Sequence, residues 1–82
     1  MLNTSELKTE FVFNPASDET VDPEYVLLRN PNISIQCSAF DGCLDYCVNE
    51  HGGEGAGFWM KMHGDYKSLT KAMSKAIQIA SN

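Results

Sequence analysis

Two thiols and an imidazole stand at four-residue intervals, and these residue types can bind zinc. Cys43, Cys47 and His51 follow the pattern C-x3-C-x3-H, and His63 comes twelve residues later. On a helix, three such ligands would share one face, and four nitrogen and sulfur ligands can hold Zn²⁺. This segment is predicted to be a strand, in which Cys43 and Cys47 lie about 13 Å apart. That distance excludes a shared metal ion or a disulfide bond, so we predict free thiols and no metal site.

A thiol–imidazole pair is the second chemical possibility. If the strand after the glycine loop joins the sheet, Cys47 and His63 share its polar face, and an imidazole can activate a thiol as a nucleophile. No third member and no oxyanion donor accompanies them in the sequence. A half-buried cysteine and a solvated histidine at a strand end explain the two residues more simply. We therefore predict no catalytic residue and no enzyme activity.

The glycine-rich run Gly52–Gly57 has the composition of a phosphate-binding loop. Such loops lead into a helix, whose free N–H groups and dipole hold the phosphate. This run leads instead into FWMKMH, which alternates like a strand, and it carries Glu54 at its centre. We predict a hairpin connection here and no cofactor.

The elements that must position these residues include one well-defined hairpin. Residues 33–40 and 43–50 alternate between apolar and polar side chains on either side of Asp41-Gly42. An Asp-Gly pair favours a two-residue type I′ turn, and that turn sets the register. Cys37 then faces Tyr46 and Ile35 faces Val48. One face of the hairpin is accordingly apolar, and the other carries Ser, Gln, Asp and Asn.

The remaining segments complete an α+β domain that spans residues 1–82. Residues 10–13, 25–29 and 58–63 are predicted strands, and residues 68–81 carry an apolar stripe at helical spacing. The predicted fold is a two-layer antiparallel β-meander of four to five strands packed on one C-terminal helix. In this arrangement, Phe58, Met60 and Met62 would face the helix.

The opposite face of the sheet is then left open to solvent or to a partner. The alternation places Phe40, Trp59 and Lys61 there, beside Asp45, Asn49 and His63. Tryptophan is enriched at interface hot spots. The alternative is that Trp59 belongs to the core and that Phe58 and the methionines lie outside.

Charge disfavours direct binding of nucleic acid. The chain has a net charge of -5, and residues 1–50 carry nine acidic against two basic residues. Phosphate backbones are repelled by such a surface, whereas a basic protein is attracted. The sequence has three cysteines, no basic stretch that leads into an apolar segment at the N-terminus, and no membrane-spanning run. These features favour a reducing cytoplasm.

The profile is similar to that of small phage-encoded antagonists of nucleic-acid machinery, anti-CRISPR proteins included. We therefore expect an inhibitor that occupies a basic surface of a nucleic-acid-processing complex. It would use the acidic loop Asp18–Glu24 and the open sheet face. The alternatives are a small interaction subunit that dimerises through that face, and a thiol- or zinc-dependent protein. The expected partner-binding residues are Asp18, Glu19, Asp22, Glu24, Phe40, Asp45, Asn49, Trp59 and Lys61.

Overall fold

Two helices lie on one face of a five-stranded antiparallel sheet in the computed structural model. The structure describes residues 4–15, 22–40 and 43–81, without the side chains of residues 4, 39, 40, 43 and 44. A single 3-10 turn, Gly55–Gly57, lies between the last two strands. The elements in chain order are α1 (Thr4–Lys8), β1 (Phe11–Asn14), β2 (Glu24–Leu27), β3 (Ile33–Phe40), β4 (Cys43–Gly52), β5 (Trp59–Tyr66) and α2 (Leu69–Ser81).

The strands follow one another across the sheet in the order β1-β2-β3-β4-β5. The predicted α+β meander with two layers and a C-terminal helix is therefore confirmed. The predicted hairpin register is confirmed as well, since Cys37 pairs with Tyr46 and Ile35 with Val48. The turn residues Asp41 and Gly42, whose conformation was the basis of that prediction, lie outside the described residues.

The core lies between α2 and the face of the sheet that carries Ile33, Ile35 and Val48. The stripe on α2 consists largely of alanine, so the helix axis can approach the sheet closely while Met73 fills the remaining space. Ala72, Met73 and Ala76 are fully buried against these strands. Burial of apolar surface of this kind contributes about 25 cal/mol per Å².

The short helix α1 was not predicted from the sequence. It packs against α2 and β1 and buries Leu7 in the same core. A helix of five residues is too short to be stable in isolation, so this packing is what maintains it.

The outer strand β5 differs from the prediction in phase. Gly64 pairs with Val48, but Met62 pairs with Asn49, so His63 is an extra residue in a β-bulge. Relative to the register of Gly64–Tyr66, the extra residue moves every side chain that precedes it in the strand to the other face. The prediction that Phe58, Met60 and Met62 face the helix is therefore wrong: Met60 and Met62 lie on the opposite face of the sheet and are 61% and 63% exposed.

The bulge also overturns the predicted positions of three other side chains on this strand. Trp59 pairs with Gly52 and Lys61 with Glu50, both on the side of the sheet where α2 packs. His63 points to that side too, because its Nε2 lies 2.9 Å from Oε1 of Glu50. The predicted grouping of Trp59, Lys61 and His63 beside Asn49 is accordingly wrong.

Candidate functional site: the open face of the sheet

Neither described helix covers the second face of the sheet, which we call the open face. The register aligns its side chains in two rows that cross the five strands. One row carries Val12, Val26 and Met62, with the buried polar residues Ser34 and Asn49 in its middle, and we call it the apolar row. The acidic row consists of Asn14, Glu24, Gln36, Cys47 and Asp65. Adjacent rows on one face lie two residues apart, or about 7 Å.

Asp22, which lies two residues before the start of β2, extends the acidic row because its side chain contacts β3. Oδ2 of Asp22 accepts hydrogen bonds from Nε2 of Gln36 and from Oγ of Ser38, each at 3.3 Å. Oε1 of Glu24 accepts one from Nδ2 of Asn14, also at 3.3 Å. Asp22 and Glu24 therefore lie close together at β2, and Asp65 lies in the same row on β5, at the same end of the open face.

Asp45 stands further along the same face and forms an ion pair with Lys67. The lysine side chain is largely solvent-exposed, and an exposed pair of this kind contributes little to stability. A basic group from a partner could compete with Lys67 for this carboxylate.

The other end of the open face is apolar. Met60 and Met62 project from β5, and Phe58 precedes the strand with about half of its surface exposed. The rings of Phe58 and His51 lie 6.1 Å apart between centroids and are tilted by 31°. Methionine adapts its shape to different partners, so this end offers an apolar surface that can adjust to what it contacts.

A shallow groove joins the two ends. Its floor is formed by Ser34 and Asn49, which are buried beneath larger neighbours. Its volume of about 310 Å³ is at the lower limit for ligand pockets. The residues around it are Glu24, Ser34, Gln36, Asn49, His51, Phe58 and Met60.

The structure brings together four of the nine predicted partner-binding residues. Asp22, Glu24, Asp45 and Asn49 belong to the open face or its margin. Asp18 and Glu19 lie outside the described residues, as does the side chain of Phe40, although the backbone register assigns that position to the open face.

Trp59 and Lys61 lie on the other side of the sheet, as described above. Trp59 is 47% exposed, and its indole rests over Gly52, where a Cβ atom would come within 2.8 Å of the ring. Trp59 is therefore neither a core residue nor part of the open face.

Sequence reasoning missed the contribution of His51 to the open face, and it placed Phe58 and the methionines outside only in the alternative in which Trp59 belongs to the core. The one signal that could have revealed them is Gly64, which interrupts the alternation of β5. Glycine inside a strand often marks a bulge, and its φ of +139° here is a conformation that other residues rarely adopt.

The described thiols are free, and their surroundings do not activate them. Cys37 and Cys47 are both buried and unbridged. Burial, followed by a hydrogen bond and charge repulsion from Asp65, raises the pKa of Cys47 to about 11. The thiol also lies 3.3 Å from Oδ1 of Asn49. A nucleophilic cysteine requires a lowered pKa, so Cys47 is poorly suited to that role.

The thiol–imidazole pair considered for Cys47 and His63 is not formed, because the two residues lie on opposite faces of the sheet and His63 contacts Glu50. Within the described part of the chain, no group of three or more His, Cys, Asp and Glu side chains is arranged to hold a metal ion.

Comparison with models of known protein families, with curated proteins and with solved structures finds no match for this chain. In the ranges 4–15, 22–40 and 43–81, no helix is long and apolar enough to cross a membrane.

Proposed function

We propose that this protein binds another protein through the open face of its sheet, and that the partner presents a basic surface. The observation that carries the proposal is the division of this face into two ends. One end exposes Phe58, Met60 and Met62, and the other gathers Asp22, Glu24 and Asp65.

Both ends have a physical role in such a complex. Apolar side chains grouped on an uncovered face lose unfavourable contact with water when a partner covers them. Carboxylates at the margin attract a basic surface and accelerate the encounter, while contributing less to the final affinity. The apolar end would thus hold the partner, and the acidic end would select it.

A narrower form of the proposal concerns the kind of partner. Proteins that process nucleic acids carry basic channels for phosphate, and an acidic surface can occupy such a channel in place of the nucleic acid. The nine acidic residues among positions 1–50 support an inhibitor of this type, anti-CRISPR proteins being one example. Free thiols at Cys37 and Cys47 support a reducing compartment such as the cytoplasm.

Association of two copies through the open face is the alternative. A symmetric dimer would bury both acidic rows in one interface, and the burial of like charges without partners is costly. A doubled mass in analytical ultracentrifugation would support the dimer, whereas a monomer mass at the same concentration supports binding to a different protein.

Two exposed apolar residues provide a matched test. The partner is first captured from a lysate of the source organism with the wild-type chain and then purified. Met62→Ser removes an apolar side chain from the open face, and Leu28→Ser removes one of similar exposure, 56%, from the turn after β2. Both substitutions should leave the unfolding midpoint nearly unchanged, because both side chains are exposed.

We expect Met62→Ser to weaken the affinity for the partner by about tenfold and Leu28→Ser to leave it within twofold, as measured by isothermal titration calorimetry. Equal effects of the two substitutions would mean that the open face is not the binding surface.

A further inference from the structure

We propose that the groove on the open face holds an extended segment of the partner that carries a basic residue at one end and an apolar or aromatic residue at the other. This inference rests on the proposed function and adds the chemistry of the bound segment. It follows from the path of the groove across the sheet and from the different side chains at its two ends.

The groove runs diagonally. Glu24 lies on β2 in the acidic row, while Met60 lies on β5, three strands away and beyond the apolar row. Three steps of about 4.8 Å between strands and four of about 3.4 Å along a strand separate the two positions by about 20 Å. A volume of about 310 Å³ spread over that length suits a slender chain better than a compact cofactor.

The Glu24 end is suited to a guanidinium or ammonium group. The carboxylate of Glu24 and the amide oxygen of Gln36 are hydrogen-bond acceptors at the groove, and Asp22 lies against Gln36. Hydrogen bonds between two charged groups are about twice as strong as neutral ones. An arginine can donate to two acceptors at once through its planar fork, so arginine is the residue that this end fits best.

The opposite end is suited to an apolar side chain. His51 and Phe58 form one wall with their tilted rings, and Met60 forms the other. Aromatic pairs and sulfur–aromatic contacts favour an aromatic residue here.

The floor between the two ends can bind the backbone of the segment. The hydroxyl of Ser34 and the amide of Asn49 both donate and accept hydrogen bonds, and both side chains line the groove. A segment in extended conformation advances about 3.4 Å per residue, so two anchors that are six positions apart span about 20 Å on one side of the chain.

The test uses synthetic peptides and nuclear magnetic resonance, which detects millimolar binding. The parent peptide carries arginine and phenylalanine six positions apart with a Gly/Ser spacer and blocked termini. A second peptide has citrulline, which has nearly the same shape without the charge, in place of arginine. A third has the two anchors only two positions apart, too close to reach both ends of the groove.

We expect the parent peptide to shift the amide signals of Glu24, Gln36, Asn49, His51 and Met60. The citrulline peptide and the short peptide should each bind about tenfold more weakly at low salt. Glu24→Gln should abolish the preference for arginine over citrulline. Glu54→Gln, which removes an acid from the loop before β5, outside the groove and the acidic row, should preserve that preference.

Three results would overturn the inference: no shifts at millimolar peptide, equal affinity for the arginine and citrulline peptides, or shifts confined to the outer side of α2. In each case, the effect of Met62→Ser on partner binding still decides separately whether the open face is an interface, because Met62 does not line the groove.

Discussion

Gly64 allows the outer strand to accommodate an extra residue. Its φ of +139° is readily adopted only by glycine, and the bulge at this point turns Met60 and Met62 toward the open face. The side chains available to a partner therefore depend on the backbone conformation of a single residue that has no side chain itself.

Gly64→Ala should lower the free energy of unfolding by about 1–3 kcal/mol. A Cβ atom at this position would lie 3.6 Å from the ring of Tyr66, an ordinary contact, so the cost comes from the backbone. Gly57→Ala is the matched control, because its Cβ would meet nothing within 4 Å and its φ is not positive. Equal urea midpoints for the two variants would contradict the assigned conformation of Gly64.

Cys47 should react slowly with alkylating reagents in the folded protein. The thiolate is the reactive form, and a pKa raised from 9.0 to about 11 makes thiolate about 100-fold scarcer at pH 8. Pulsed treatment with iodoacetamide, followed by peptide mass spectrometry, should therefore label Cys47 far faster in urea than in buffer. Equal rates would reveal an exposed, reactive thiol and would restore the case for thiol chemistry.

At the scale of elements, α1 is the clearest addition to the predicted fold. Leu7 is 3% exposed and links this helix to the core beneath α2. Because five residues cannot form a stable helix alone, removal of the Leu7 side chain should release α1 as well as leave a cavity.

Leu7→Ala should lower the free energy of unfolding by about 2–5 kcal/mol, the usual range for a buried leucine. Leu28→Ala, at an exposed site, should change it by less than about 0.5 kcal/mol. Urea denaturation followed by circular dichroism measures both. A small effect of Leu7→Ala would mean that α1 does not contribute to the folded core.

The register of the β3–β4 hairpin could be predicted from the sequence, because two independent signals agree there, although β4 continues two residues past the predicted end to Gly52. The turn residues and the alternation of Ile33, Ile35 and Val48 select the same register. The face on which each β5 side chain lies could not be predicted in this way, because alternation shows which residues share a face but not which of the two faces that is. In addition, the bulge at His63 exchanges the two faces partway along the strand.

The candidate site was predicted in part for the same reason. Asp45 and Asn49 lie on the hairpin strand β4, whose register with β3 is uninterrupted, so their predicted position on the open face is correct. Glu24 was predicted to lie in an acidic loop, but it is the first residue of β2 and pairs with Gln36. Trp59 and Lys61 lie on the N-terminal side of the bulge, and their predicted face is reversed. The prediction assigned the apolar alternate residues of this strand to the core, whereas the register places them on the open face.

At the scale of the whole molecule, the distribution of charge matters more than its total. We compare two double variants that each raise the net charge from -5 to -3. Glu24→Gln with Asp65→Asn removes charge from the open face. Glu6→Gln with Glu54→Gln removes the same charge from α1 and from the loop before β5.

The open-face pair should slow association with the captured partner several-fold more than the control pair and should flatten its dependence on salt, because nearby charges steer the encounter and salt screens them. Surface plasmon resonance at two salt concentrations measures both rates. If the two double variants behave alike, only the net charge matters and the acidic row has no specific role.

The bulge in β5 has a consequence for the behaviour of the protein at high concentration. β5 is an outermost strand of the sheet, and a long straight outermost strand is a template on which other chains can polymerise. A bulge bends the strand and increases its twist, so a second molecule cannot align its backbone along the full length of this border. We expect the irregularity that orients the methionines also to keep neighbouring molecules from joining into fibres.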